Sequence, residues 1–571
     1  MIDSIPPGLL LIVGALLLSV LRGKFQQVML LVLPVLSGLI LWGQAQNATS
    51  WENMVGFSFF DLDIILIRID KLSLVWGTIF HIAVFLCAIF SLHVKDTLQH
   101  VAGYIYAGAA IGAVFAGDLL TLFVYWELTA VSSVFLIWAS RRDSAFHAGM
   151  RYLIIQVGSG VLLLSGVLLR LHTSDLEQPL FFGKLSLQDP GSLLILLSFG
   201  IKAAFPLLHN WLQDAYPQAT PTGTVFLSAF TTKLAIYALA RGFPGTEQLI
   251  WLGAAMTVFP IFFAVIENDL RRVLAYSLNN QLGFMVVGIG VGTPLALNGT
   301  AAHAFCHILY KSLLYMTMGA VLFRTGTMKG NELGGLYKSM PWTTFFCIIG
   351  GASISAFPLF SGFVSKSLIM SATAENHHGM VWLILLFASA GVLEHSGIKI
   401  PFVTFFAHDN GLRVKEAPVN MLVAMGVTAA LCVLIGIFPG PLYALLPYDV
   451  VYEPYTAAHV INQLQLLLFA ILAFAVLQQT GLYPSELPKI NLDTDWFYRR
   501  ALPNLVTVCC VQAAPMLKTI DAGFVLFREW LLSLMYALFG PTGLLGRKWS
   551  TGGMALWAAI LLGVYLVLYY L

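Results

Sequence analysis

Five lysines, Lys202, Lys233, Lys311, Lys366 and Lys399, and one glutamate, Glu127, sit in stretches otherwise apolar enough to cross a lipid bilayer. A charged side chain at the bilayer centre costs at least about 2.5 to 3.5 kcal/mol on insertion scales, so a chain that carries several is using them. The chemistry open to such groups is uptake and release of protons. Burial disfavours a charged lysine and a nearby carboxylate favours it, so moving Glu127 relative to a neighbouring lysine would switch that lysine's protonation. A structural carboxylate bonded to an adjacent helix is the rival reading of Glu127.

The spacing of other titratable residues extends this reading. His303, His307 and Lys311 stand at i, i+4 and i+8 on one helix face, which suits a hydrated proton path. His303, near a helix start, could equally be a satisfied interfacial histidine. Lys233 is the sole charge in residues 226–240, and Lys366 follows Pro358 by eight residues. Glu394, His395 and Lys399 cluster in one apolar run, with His395 and Lys399 on a shared face; a relay and a set of structural contacts are both open for them. Lys202 lies four residues before Pro206, so its own carbonyl is the one that proline leaves unpaired.

Helices must position these groups. The chain of 571 residues is 58% hydrophobic and 10% charged, the composition of an integral membrane protein. Its net charge of +2 is spread singly over short loops, which argues against nucleic acid as a partner. The six cysteines form no Cys-x-x-C and no Cys/His cluster, so no metal, cluster or other cofactor is expected. The N-terminal apolar run lacks a basic leader and reads as a retained first helix.

Apolar runs near 8–22, 28–43, 72–94, 101–116, 118–140, 146–172, 192–216, 222–241, 247–265, 270–292, 296–323, 342–374, 379–407, 418–437, 461–478 and 553–571 predict an all-α polytopic membrane protein of about sixteen spans. With both termini outside, only Arg68, Lys71, Arg170, Lys184 and Arg241 fall in outer loops, and the other loop Lys and Arg residues, Lys489, Arg547 and Lys548 among them, face the cytoplasm. Two runs are long and hold an internal proline, Pro206 and Pro358, predicting broken helices with free backbone groups at mid-membrane. Ala204-Phe205-Pro206-Leu207 recurs as Ala356-Phe357-Pro358-Leu359, offset by 152 residues, and Asp118-Leu119 recurs as Asp269-Leu270, offset by 151. This predicts a duplication whose five-span copies insert in opposite orientations. The expected organisation is N-terminal helices over 1–100, a first inverted repeat over 101–241, a second over 247–407, and C-terminal helices over 408–571. Within the last, an amphipathic segment near 493–540 is expected to lie along the membrane or a neighbouring subunit, with one or two extra spans as the alternative.

These residues also carry a family likeness. The run Lys202-x3-Pro206-Leu207-Leu208-His209-Asn210-Trp211-Leu212-Gln213-Asp214-Ala215 resembles the K-x4-P-[LF]-H-x-W-L-P-D-A signature of the antiporter-like membrane subunits shared by respiratory complex I and Mrp-type cation/proton antiporters. So do Asp269 to Ser277, His307-x3-Lys311-Ser312-Leu313-Leu314, Gly334-Gly335-Leu336 through Pro341, and Ser361 to Lys366, in order over roughly residues 60 to 410. The resemblance implies a Glu127–Lys202 gating pair, a central relay of Lys233, His307 and Lys311, and Lys366 as terminal proton exchanger. His209, His303, Glu394, His395 and Lys399 are further candidates. Pro206 comes one residue early, and Gln213 and Tyr216 replace the family's proline and histidine, which puts the position of the break and its turn geometry in question. Lys233 looks like the D-type Mrp subunit or the middle pumping subunits of complex I, whereas the segment after 440 looks like the largest subunit of complex I. The function implied is proton translocation in a multisubunit Na⁺ (or other monovalent cation)/H⁺ antiporter of the cytoplasmic membrane, with no redox centre of its own. The alternatives are a proton-pumping subunit of complex I or a hydrogenase relative, and a coupling subunit for inorganic-carbon uptake. Partners would be the other subunits of such a complex, protons, a cation and lipid.

Overall fold

The computed structural model describes residues 5–47, 53–59, 62–173, 179–484, 486–487, 491–543, 545–546 and 550–571. Lys489, Arg547 and Lys548, counted above as cytoplasmic, lie outside them. Two compact units are described separately, one ending at Asn491 and one running from Leu492 to Leu571.

In the first unit the helices are α1 (Leu9–Val20), α2 (Gly23–Asn47), α3 (Lys71–Ser91), α4 (Thr97–Phe115), α5 (Leu119–Trp138), α6 (Asp143–Thr173), α7 (Ser192–Lys202), α8 (Asn210–Ala215), α9 (Pro221–Ala229), α10 (Thr231–Gly242), α11 (Gln248–Ile266) and α12 (Leu270–Val291). They continue with α13 (Pro294–Thr325), α14 (Pro341–Ile354), α15 (Ser361–Glu375), α16 (Gly379–Val392), α17 (Val419–Ile437), α18 (Gly440–Ala444) and α19 (Ala457–Gln479). Lipid offers no hydrogen-bond partner to a backbone, so spans must satisfy their own ladders. Short polar residues start them: the Asp118 carboxylate accepts from the amides of Leu120 and Thr121, and Asp269 from those of Arg271 and Arg272.

Among the described residues thirteen helical stretches are long and apolar enough to cross a membrane. Twelve of the sixteen apolar runs fall in that set, whose thirteenth member, Phe497–Phe539, is the segment expected to lie along the membrane or to add spans; four runs fall outside it for identifiable reasons. The run at 8–22 forms a helix of only 12 residues, 192–216 and 342–374 are broken, and 270–292 carries Arg271, Arg272, Asn279, Asn280 and Gln281. One departure from all-helix is an antiparallel hairpin, β1 (Asn53–Phe59) with β2 (Leu62–Ile69). It sits on the start of α5, where the Ile65 amide donates to Asp118 at 2.9 Å and Gly117 donates to the Ile65 carbonyl at 2.9 Å.

The loops sort into two faces. On one, Arg271 donates to the carbonyls of Pro217 and Ala219, Asn268 to Asn331, Arg324 to the Glu416 carbonyl and Asn491 to Glu267. On the other, Arg68 donates to the Phe182 carbonyl, Arg241 to Asp70, and the Tyr448 amide to Asn298. Arg68, Lys71, Lys184 and Arg241 line one cavity on the second face.

The spans that hold Pro206 and Pro358 break in the same way, whereas Pro34 and Pro260 lie inside the continuous helices α2 and α11. Ala204 and Leu207 adopt φ of 60° and 71°, and Ala356 and Leu359 adopt 57° and 73°. The residue before each proline reaches back five positions, Phe205 to the Gly200 carbonyl at 2.9 Å and Phe357 to Ala352 at 3.0 Å. Two further irregularities lack any proline. The span Pro221–Gly242 is interrupted at Phe230, because the Thr231 amide donates to the Tyr106 hydroxyl of α4 at 2.9 Å and not to its own helix. The chain after α16 continues as π-helical turns, Leu393–Lys399 and Phe402–Phe406.

The second unit holds α20 (Leu502–Phe539) and α21 (Thr551–Tyr570). With 38 residues, α20 is about 57 Å long at 1.5 Å per residue, nearly twice a ~30 Å hydrocarbon layer.

Candidate functional site

The first break places Lys202 at the last turn of α7, with its side chain fully buried. Its ammonium donates to the Trp126 carbonyl at 2.6 Å and to Thr129 Oγ1 at 2.9 Å, and lies 4.3 Å from the centre of the Trp126 ring. Glu127 is close enough for the two charges to interact, yet its Oε1 has no hydrogen-bond partner. The implied Glu127–Lys202 pair is therefore a pair of neighbours in this structure, without a hydrogen bond between them. Space for the carboxyl comes from Gly160 on α6, where an added Cβ would fall 1.4 Å from Glu127 Oε1. His209 stands at the entry of α8, its ring 4.6 Å from that of Phe259.

The central residues converge from two helices, α10 and α13. Lys233, in the first turn of α10, donates to the Ser228 carbonyl freed by the interruption at Phe230. His307 and Lys311 on α13 are fully buried, and neither His307 nitrogen nor Lys311 Nζ has a hydrogen-bond partner. Their charges act on one another: His307 lies in range of Lys233, Lys311, His303 and Lys366. Lys202 and Glu127 are not among the groups acting on Lys233, His307 or Lys311. His303 is held between Ser365 Oγ at 3.1 Å and Gln281 Oε1 at 3.2 Å, and Tyr310 donates to the same Gln281 oxygen. It is a bonded member of the cluster and lies within it, not at the interface.

Beyond the second break, Lys366 on α15 reaches back to the Ile354 carbonyl at 3.3 Å and to Ser389 Oγ at 3.4 Å, under the Phe284 ring. His395 shares its Nδ1 with Ser396 Oγ, which donates to Ser277, while its Nε2 is buried without a partner. It lies in charge range of Lys311, Lys366 and Lys399. Lys399 caps the end of α11, donating to the carbonyls of Ala264, Val265 and Glu267. Of the two roles open for the Glu394, His395 and Lys399 cluster, these bonds favour a structural one for Lys399.

Several polar members escape a reading of the sequence for charge. Thr129, Gln281, Tyr310, Ser277 and Ser389 all bond the groups above. The run Asn279-Asn280-Gln281 in a spanning helix is the signal that could have found them, since three consecutive amides in lipid need partners. Arg271, buried and bonded to carbonyls at 216–220, ties the loop after the first break to α12.

Comparison with known proteins places this geometry. Residues 116–392 match the family model described as NADH:quinone oxidoreductase/Mrp antiporter, TM. Hydrogenase-4 component B of Escherichia coli (strain K12) is 29% identical over 67% of this chain and 63% of its own. The A-type Na(+)/H(+) antiporter subunit of Alkalihalophilus pseudofirmus is 27% identical over 87% of this chain and 69% of its own. The chain thus spans about two thirds of the length of these relatives. A chain of the membrane-bound sulfane sulfur reductase, an archaeal respiratory membrane complex, shares the fold with a TM-score of 0.70 at 20% identity, over 99% of this chain and 100% of that one. Over residues 116–392, just under half of its length, this protein is thus similar to the membrane subunits shared by the NADH:quinone oxidoreductases and Mrp antiporters.

Proposed function

We propose that this chain is the proton-translocating subunit of a multisubunit monovalent cation/proton antiporter, with Na⁺ as the cation, in the cytoplasmic membrane. The observation that carries it is the line of buried titratable groups about His307, which has Lys233, Lys311, His303 and Lys366 in charge range, with Lys311 Nζ and both His307 nitrogens free of protein hydrogen bonds. Buried polar groups without a protein partner are costly unless water meets them, as it would along a hydrated proton path. Glu127 and Lys202 form the gate on one side of this line, and Lys366 exchanges protons at its other end. The two five-helix sets, 101–241 and 247–407, act as inverted repeats, and both chain termini face outward.

A relative named as a sodium/proton antiporter subunit supports the antiport reading. That relative is of the A type, so the D-type assignment rests on Lys233 alone. A second reading, proton pumping beside a redox module, is favoured by the relative named hydrogenase-4 component B. The assembled complex in everted membrane vesicles separates them: a Na⁺ pulse should discharge a preformed pH gradient with no electron donor present. A pH gradient formed on supply of an electron donor, with no discharge by Na⁺, would favour the second reading, and no proton movement in either case would overturn both.

A further inference from the structure

The relay ends, on the face that carries Glu267 and Asn268, in buried polar groups without an assigned task. Glu394 lies in the π-helical turn Leu393–Lys399, with Oε1 buried and without a hydrogen-bond partner. π-Turns are rare and concentrate at functional sites. The Glu394 carboxyl is within hydrogen-bonding reach of the Tyr483 hydroxyl, which is likewise buried and makes no well-aligned hydrogen bond. Tyr483 does not belong to a helix. After α19 the chain folds back, the amides of Leu482 and Tyr483 both donating to the Leu477 carbonyl at 3.0 Å, and the Phe474 ring meets the phenol edge-on at 5.0 Å. Three residues on, half-buried Glu486 packs over Gly330 of the loop face, and its charge acts on Tyr483. On the inner side the residue after Glu394, His395, offers a buried Nε2 without a partner and stands in charge range of Lys311 and Lys366.

Tyr483 and Glu394 thus stand between the half-buried Glu486 carboxylate and His395, the residue after Glu394 in the chain, whose buried Nε2 has no protein partner. The other titratable group acting on Glu394 is Lys399, which donates to three backbone carbonyls. Resting on the transport reading above, we propose that Glu394, Tyr483 and Glu486 form a proton portal between the central relay and water at the loop face. In one passage the protonated Glu486 gives its hydrogen to the phenol oxygen as the phenol gives its own to the Glu394 carboxylate. One proton moves, the phenol ends neutral, and rotation about its C–O bond resets it.

Proton flux through the assembled complex in vesicles, with the loop face outward, tests this. Tyr483→Phe keeps the ring against Phe474 and removes only the hydroxyl; flux should fall by about tenfold or more, the scale of a lost proton-transfer group. Glu486→Gln should slow flux several-fold, and a raised concentration of an impermeant buffer such as MES should restore it by donating protons in place of the carboxyl. Wild-type flux in Tyr483→Phe overturns the portal, as does a Glu486→Gln variant that is either unimpaired or insensitive to buffer. If wild type moves protons and Lys311→Ala does not, those outcomes sink the portal alone; if wild type moves none, the transport reading falls first.

Discussion

The two helix breaks share a backbone and differ in the charges they hold. Ala204 to Leu207 and Ala356 to Leu359 adopt the same left-handed turns, and the same five-residue back-bonds close both. At the first, the lysine is the residue on the break, Lys202, with Glu127 beside it. At offsets of 152 and 151 the second half has Ile354 and Leu278 in those positions, and its lysine, Lys366, comes from the far half-helix to reach the Ile354 carbonyl. The break is thus a scaffold that loosens carbonyls at mid-membrane, and the side chain that exploits it decides the task. A lysine with a carboxylate neighbour can be gated; a lysine held by a carbonyl and a serine, in charge range of three histidines, can hand on a proton.

The largest effect should come between the breaks, where both halves must pass the proton. Lys311 Nζ bonds nothing, so Lys311→Ala leaves no new orphan; assembly on a native gel should be unchanged while vesicle proton flux falls by about a hundredfold or more. Unchanged flux would detach the two halves from each other. At the second break, Lys366→Arg should be nearly as inactive as Lys366→Ala, because a guanidinium with a pKa above ~12 does not release its proton. A fully active arginine variant would make Lys366 a static charge and erase the proposed division of labour.

At the first break, Gly160→Ala places a methyl where the Glu127 carboxyl lies. The carboxyl is a mobile side-chain end and can shift, so thermal stability should hold while flux changes several-fold. An unaltered rate would mean that the position of Glu127 does not gate. The smallest transport effect should follow Lys399→Ala. It strips three carbonyls of their donor, and a lower melting temperature, corresponding to about 1 to 3 kcal/mol, should accompany flux within about twofold of wild type.

The charged residues are legible in the sequence because a charge in an apolar run has no cheap explanation, and the breaks because proline cannot donate. What each charge bonds is not. Lys399 and Lys202 both sit in apolar runs, but one caps α11 from another helix and the other neighbours a carboxylate, a distinction made by tertiary packing. The interruption at Phe230 has no glycine or proline to announce it, since its cause is a hydroxyl on α4, more than a hundred residues earlier in the chain. The hairpin at 53–69 is hidden for the same reason: its edge bonds to Asp118 and Gly117, which only the fold brings near. Spacing alone leaves His303 open between interface and relay, and its bonds to Ser365 and Gln281 place it inside the cluster.

Proton flux through the assembled complex carrying Lys202→Ala tests the account most directly. Lys202 has no equivalent charge in the second half, and its replacement removes the switch without touching the apolar core. Native gels should show the complex intact, and a pH jump across the vesicle membrane should drive no flux above that of vesicles lacking the complex. Flux at the wild-type rate in that variant would contradict the lysine relay as the route of the proton.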